Sequence, residues 1–265
     1  MVNISHYKSC FQELCMQRFS NKVVFITGAA SGIGRETAVR LASEGASLWL
    51  CDIDETGLGT TQKACKEQGA KTTIYCCDVS NYDECVNAID ACITHYRQLD
   101  VLCNIAGIAQ MQHFTDISPA DWHKILGVNL TSVFYLCQLA MPHLIKTKGN
   151  IVNMASSAGL VGQAYTSSYC ATKAAVVNLS KSLAIEYSAQ SVRVNALCPG
   201  NVKTPLASKL NIPEDIDKRL LGRMFPLIEA AQPCEIAAAV AYLSSDEARF
   251  ITGAALPIDG AQTAG

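Results

Sequence analysis

The sequence contains no run of lysines or arginines, and only 17% of its 265 residues are charged, for a formal net charge of −2. A phosphate backbone or an anionic membrane surface therefore meets no electrostatic landing site, which argues against nucleic acid or a membrane as a partner. The first twenty residues hold no unbroken apolar stretch, because Lys8, Gln12, Glu13 and Arg18 interrupt it. Neither a signal-peptide core nor a membrane span is read there, and a cytoplasmic location is expected. The five histidines show no H-x-x-x-H spacing, and the thirteen cysteines are odd in number and include no C-x-x-C pair. No metal site is expected from that pattern. Cys51, Cys76, Cys77, Cys103 and Cys198 lie within apolar runs and read as small buried hydrophobes in a reducing compartment, not as a disulfide framework.

With 49% hydrophobic residues, the chain is long enough for one large α/β domain, read over residues 21–265 after an N-terminal extension at 1–20. In the extension, Cys10, Phe11, Leu14 and Cys15 keep a helical period. From Lys22 the run KVVFIT reads as a fully buried parallel strand, followed at once by GAASGIG and a helical stretch. Gly28, Gly32 and Gly34 permit a tight turn that lets backbone N–H groups and a helix N-terminus face a pyrophosphate. The next strand, ASLWLCDID, carries Asp52 eighteen residues past Gly34. An acidic side chain there accepts from adenosine ribose hydroxyls and repels a 2′-phosphate, whereas Asp52 or Asp54 as a plain helix N-cap is the competing reading. Strands and helices then alternate to the last short strand AALPIDG, with one helix expected over 117–147 and a long loop and helix region from Val202 to Phe225. That alternation predicts a Rossmann-type, doubly wound parallel sheet with helices on both faces.

One constellation carries chemistry. Tyr169 and Lys173 are four residues apart in a helix read over about 167–187, and of nine tyrosines only Tyr169 has a lysine at that spacing. Positions i and i+4 share a helix face, so the ammonium is expected to favour the ionised phenol. Ser156 lies thirteen residues before Tyr169 at the end of the apolar run IVNMA. It is placed to donate its hydroxyl to a carbonyl oxygen, with Ser157 as its rival.

Taken in order, TGAASGIG (Thr27 to Gly34), Asp52, Asp78 and Val79 in CDV, NIAG (Asn104 to Gly107), Asn129 in GVNL, Ser156, YCATK (Tyr169 to Lys173) and PGNVKT (Pro199 to Thr204) resemble the short-chain dehydrogenase/reductase family from about Lys22 to Gly260. Ile105 departs from the usual NNAG stretch. The resemblance implies an oxidoreductase in which Tyr169 is the general acid/base, Ser156 holds the substrate oxygen, Lys173 holds the nicotinamide ribose, and Asn129 holds a water linking the lysine to solvent. It implies cofactor contacts at Gly28, Ser31, Gly32, Ile33, Gly34, Asp52, Asp78, Val79, Asn104, Ala106, Gly107, Pro199, Gly200, Val202 and Thr204, besides Tyr169 and Lys173. It also implies a homotetramer, with a dimer as runner-up.

NAD is the expected cofactor, because Asp52 is acidic and no basic residue lies within GAASG. The expected reaction is hydride transfer between that cofactor and a mostly apolar or neutral secondary alcohol or ketone. A 3-oxoacyl-carrier-protein reductase type of enzyme is the alternative, and a catalytically silent dinucleotide-binding scaffold is a rival of another class. The substrate is expected between Gln110–Phe114, Leu160–Tyr165 and a mobile region about 202–228, with Leu206, Leu210, Met224, Phe225 and Leu227 as pocket wall.

Overall fold

The computed structural model describes residues 17–264. Its centre is a seven-stranded sheet in the order β3-β2-β1-β4-β5-β6-β7, with every neighbouring pair parallel. The strands are β1 (Val23–Thr27), β2 (Ser47–Asp52), β3 (Thr72–Cys76), β4 (Val101–Asn104), β5 (Asn150–Met154), β6 (Arg193–Pro199) and β7 (Ala255–Ile258). All five residues of β1 are buried, as a run of β-branched and aromatic residues covered on both faces requires. Their alternation divides the core. Val24 and Ile26 join Leu48, Leu50 and Leu197 on one face, while Val23 and Phe25 join Trp49, Leu102 and Ile151 on the other.

Helices α1 (Gly32–Ser43) and α2 (Glu55–Glu67) cover the first face, together with α9 (Pro233–Ser244), which packs along α1. The second face is covered by α3 (Tyr82–Tyr96), by α5 (Ser132–Thr147) and by α6 (Ser167–Glu186). Before α5 runs α4 (Pro119–Leu126), and two one-turn helices, α7 (Pro205–Ser208) and α8 (Lys218–Leu221), interrupt the loop that precedes α9.

The single helix expected over 117–147 is two. Ser118 caps α4 by accepting from Asp121 N, with Pro119 in the first turn, and a π turn at Gly127–Thr131 separates α4 from α5. The stretch from Pro119 to Thr147 is long and apolar enough to cross a membrane. Here Val133, Leu136, Ala140, Met141 and Leu144 are instead spent on the sheet, where they are buried.

Part of the stretch read as an N-terminal extension packs against the domain. Residues 1–16 lie outside the described part, but Phe19 is 1% exposed, in the core of the first face. Burying one phenylalanine is worth about 1.5–3 kcal/mol. Beside it, Arg18 donates to Glu44 at 2.6 Å and to Glu247 at 2.7 Å. Burial pushes the Glu44 carboxyl up, but hydrogen bonds from Arg18 and Arg40 outweigh it and hold it below the ordinary value. The domain therefore starts before its first strand.

Most described cysteines are buried, including Cys51, Cys65, Cys77, Cys92, Cys103, Cys137 and Cys198, whereas Cys76 and Cys234 are exposed.

Candidate active site

The sheet order turns back on itself between β1 and β4, and at such a switch point the carboxyl ends of the strands leave a crevice. The cleft there has a volume of about 1070 Å³ and reaches from the β1 turn across the ends of β4, β5 and β6 to the loop before α9.

At its first end the backbone is over-determined. Gly28 has φ +69°, and a Cβ on it would stand 2.8 Å from Ala106 N; a Cβ on Gly34 would stand 2.0 Å from the Gly28 carbonyl oxygen. Only glycine lets the turn close on β4 and on its own helix. Ser31 caps α1 without a side-chain hydrogen bond, and no acidic residue lies in the first turn. The N–H groups of that turn are therefore left to the cleft, a site for an anion. Arg35 donates to the Ala30 carbonyl and to Thr61 Oγ1, pinning the glycine turn from behind.

Asp52 ends β2 at the cleft wall, accepting from Ala30 N and from Asp54 N, both at 3.0 Å. The N-cap of α2 is Asp54, which accepts from Gly57 N at 3.0 Å. The helix N-cap reading therefore falls on Asp54 and not on Asp52. Asp78 braces its own turn through Ser80 N at 2.9 Å and Ser80 Oγ at 2.7 Å, and with Val79 it lines the cleft.

Asn104 departs from expectation. It is 2% exposed, and its amide donates to Asn153 Oδ1 at 2.8 Å and to Cys137 Sγ at 3.5 Å, inside the layer between sheet and α5. It belongs to a buried brace between β4 and β5, not to the cleft. The cleft is lined by Ile105, Ala106 and Gly107 instead, and Thr27 Oγ1 fixes that turn by accepting from Ile105 N at 3.0 Å and Ala106 N at 3.1 Å.

Asn129, fully buried in the π turn, is a bracket for the same segment. Its amide accepts from Ile108 N and donates to the Ile108 carbonyl, each at 2.8 Å, and lies 3.3 Å from Thr172 Oγ1. A Cβ on Gly107 would lie 3.3 Å from Asn129 Oδ1 and 3.5 Å from Lys173 Nζ. The amide and the ammonium thus converge on one bare glycine.

Ser156, Tyr169 and Lys173 meet in the middle of the cleft. Ser156 follows β5 and accepts from Ala158 N at 3.1 Å. Lys173, 3% exposed, donates to the Met154 carbonyl at 2.7 Å and lies 5.7 Å from the centre of the Tyr169 ring. Burial lowers its pKa to about 8. Burial likewise raises the Tyr169 phenol above its ordinary value, while the Ser156 hydroxyl draws it down in part. The lowering expected from Lys173 is not among the causes that act on the phenol, and the ammonium is aimed at the Met154 carbonyl instead.

At the far end of the cleft, Pro199 ends β6, and Gly200, Val202 and Thr204 follow it. Thr204 caps α7 by accepting from Ala207 N at 3.3 Å. Leu206, Leu210, Ile212, Leu221, Met224 and Phe225 form the apolar wall, with Met111 opposite. Leu227 does not belong to it, being 81% exposed. Of the two other segments expected around the substrate, Met111 and Gln163 reach the cleft. Sequence reasoning passed over Ile53, Cys77, His123, Lys124, Thr166 and Gln262, all of which line it. Ile53, 69% exposed beside Asp52, had a signal in its position, as an apolar residue just past a strand end; Gln262 had none.

The glycine cradle, the open helix end and the Asp52 carboxylate fit an adenine dinucleotide, and the Ser156, Tyr169 and Lys173 cluster fits proton and hydride exchange at a carbinol. Fold and site together define a nicotinamide-dependent oxidoreductase acting on CH–OH groups. The chain belongs to the short-chain dehydrogenase/reductase family. Residues 28–263 match the profile described as Enoyl-(Acyl carrier protein) reductase. The chain is 38% identical to the meso-2,3-butanediol dehydrogenase of Serratia marcescens, over 93% of this chain and 96% of that one. It is 36% identical to a 3-oxoacyl-acyl-carrier-protein reductase of Thermotoga maritima, over 92% and 98%. The crystal structure of a short chain dehydrogenase from Mycobacterium paratuberculosis bound to NAD superposes with a TM-score of 0.87 at 28% identity, covering 94% of this chain and 100% of that one.

Proposed function

We propose that this enzyme uses NAD in preference to NADP and oxidises a neutral, largely apolar secondary alcohol, an alicyclic alcohol or hydroxyalkyl chain, or reduces the matching ketone. The observation that carries the cofactor reading is Asp52 at the cleft wall, its carboxylate already accepting two backbone N–H groups. A 2′-phosphate there meets like charge, whereas ribose hydroxyls find acceptors. The relative with bound NAD is in keeping with this. The substrate reading rests on the wall of Leu206, Leu210, Met224 and Phe225.

The bound cofactor supplies the hydride acceptor or donor at its nicotinamide ring. Tyr169 takes the proton of the alcohol in oxidation and returns it to the carbonyl oxygen in reduction. Ser156 donates to that oxygen as negative charge develops on it. Lys173 holds the nicotinamide ribose, and Asn129 fixes the Gly107 and Ile108 backbone beside it. Of the cofactor contacts, Gly28, Ser31, Gly32, Ile33 and Gly34 take the pyrophosphate side, Asp78 and Val79 the adenine, Ala106 and Gly107 the ribose, and Thr204 the carboxamide.

Turnover with NAD⁺ across neutral alcohols, phosphorylated sugars and hydroxy acids tests the reading. Neutral alcohols should lead in kcat/KM, and a lead of more than about tenfold for the charged substrates, roughly 1.4 kcal/mol in transition-state binding, contradicts it. The carrier-protein alternative is separated by an acetoacetyl thioester with NADPH, which should be the poorer pair. We also propose a cytoplasmic homotetramer, a dimer being the runner-up. Ile185 and Phe250, 78% and 93% exposed, leave apolar surface for a second copy, and a monomer in light scattering at micromolar concentration contradicts this.

A further inference from the structure

The loop over the substrate end of the cleft leaves the sheet after β6 and returns before α9 through a narrow neck. There Lys203 N donates to the Ala231 carbonyl at 2.9 Å, Ala231 N donates to the Asn201 carbonyl at 3.0 Å, and Lys203 pairs with Glu229. Beyond the neck the loop is fastened at two places. On one side Asp217 N donates to the Tyr165 hydroxyl at 2.9 Å and Asp215 accepts from His113 at 2.8 Å. On the other, the turn after β7 grips residues 224–228. Leu227 N donates to the Gly260 carbonyl at 2.9 Å, and Gly260 is so close that a Cβ on it would meet Ile228 Cγ1 at 2.7 Å. Asp259 steadies this turn by accepting from Thr263 N at 3.1 Å.

Gln262 joins that assembly to the catalytic strand. Its Nε2 donates to the Met224 carbonyl at 2.7 Å, and its Oε1 accepts from Ser157 Oγ at 3.1 Å. Ser157, 2% exposed, directly follows Ser156, and its Oγ accepts in turn from Gln163 at 3.3 Å. One amide therefore ties the loop residue Met224, itself part of the cleft wall, to the residue beside the substrate-facing serine. Both ends are needed, since an amide offers an acceptor and a donor on one planar group.

We propose that Gln262 is the positioning residue that seats the substrate loop against the Ser156 end of the cleft, setting substrate affinity without taking part in proton or hydride transfer. The kinetic arm of its test rests on the dehydrogenase reading above; the proteolytic arm does not.

Two variants separate the amide's contributions from its bulk. Gln262→Leu keeps size and loses both hydrogen bonds, and Gln262→Glu keeps an acceptor for Ser157 but has no proton for the Met224 carbonyl. The full chain without ligand is nicked with trypsin, which finds exposed sites in the loop at Lys209, Lys218 and Arg219 and control sites on α2 at Lys63 and Lys66. Both variants should be cut in the loop roughly fivefold faster than wild type, the worth of one net hydrogen bond in the opening equilibrium, with cutting at the α2 sites unchanged. With cyclohexanol and NAD⁺ they should show a KM raised several-fold without a lower kcat. Loop cutting at the wild-type rate overturns the proposal, as does acceleration shared equally by α2, or a fall in kcat at unchanged KM. If no neutral alcohol is turned over by wild type, the function proposed above fails while the cutting rates still decide the role of Gln262.

Discussion

The two ends of the cleft are built on opposite plans. At the dinucleotide end the backbone has no choice: a Cβ on Gly28 or Gly34 would run into neighbouring backbone, and Thr27, Arg35 and Asn129 lock the segments that touch. At the substrate end Gly222 has nothing within 4 Å of where a Cβ would stand, Leu227 and Ile228 are exposed, and a few side chains fasten a long loop. A fixed ligand shared by many enzymes suits a preformed cradle. A variable one suits a wall that can change without disturbing the sheet.

The largest effect expected from that division falls between the two ends. Tyr169→Phe removes a proton donor and nothing from the cradle, so kcat/KM should fall by about 10²–10⁴-fold while NADH binding, followed by nicotinamide fluorescence, changes little. A variant within about tenfold of the wild-type rate breaks the assignment. Paired glycine substitutions set the two ends against each other directly. Gly34→Ala should cost about 3 kcal/mol or more, lowering the thermal midpoint by roughly 6 °C or more, whereas Gly222→Ala should stay within about 1 kcal/mol. Equal shifts in calorimetry erase the distinction.

A smaller effect is set by pH. Lys173 is held at about 8 against an ordinary 10.5, so between those values the unfolded chain binds the extra proton and stability tied to this group rises with pH. Below pH 8 both states are protonated and the full burial cost stands. Wild type should gain on Lys173→Met by up to about 3 kcal/mol across this window in denaturant titrations, and parallel curves contradict the buried cation. The smallest expected effect sharpens the cradle itself. Asp52→Ala should weaken NADH about tenfold, as for the loss of a charged hydrogen-bond acceptor, and should bind NADPH more tightly than wild type, because the like charge facing its 2′-phosphate is gone.

The dinucleotide end was legible in the sequence because its constraints are local: the continuous apolar run in KVVFIT, the glycines, and the four-residue step from Tyr169 to Lys173 each act within one or two turns of chain. Asn104 misled because its place in a motif says nothing of direction. Strand parity says more, since Asn104 shares a face with Leu102, which packs toward the α5 side. Leu227 misled because a loop without period does not tell which apolar residue turns inward. The separate sign of the Tyr169 shift was also hidden, for burial acts through the whole fold while the i+4 spacing is all that the sequence displays. Gln262 and Phe19 lie in no motif, and what they hold is distant in sequence.

The buried thiols have a chemical corollary. Burial raises Cys65, Cys92, Cys103 and Cys137 to about 12 and Cys198 to about 11, and Cys51 goes well above the ordinary range. A thiol with a pKa near 12 is a thiolate in only about one molecule in 10⁵ at neutral pH, and the thiolate is the form that electrophiles and peroxide attack. Among the described residues, alkylating reagents and mild oxidants are therefore left with Cys76 and Cys234 on the surface and with the half-buried Cys170.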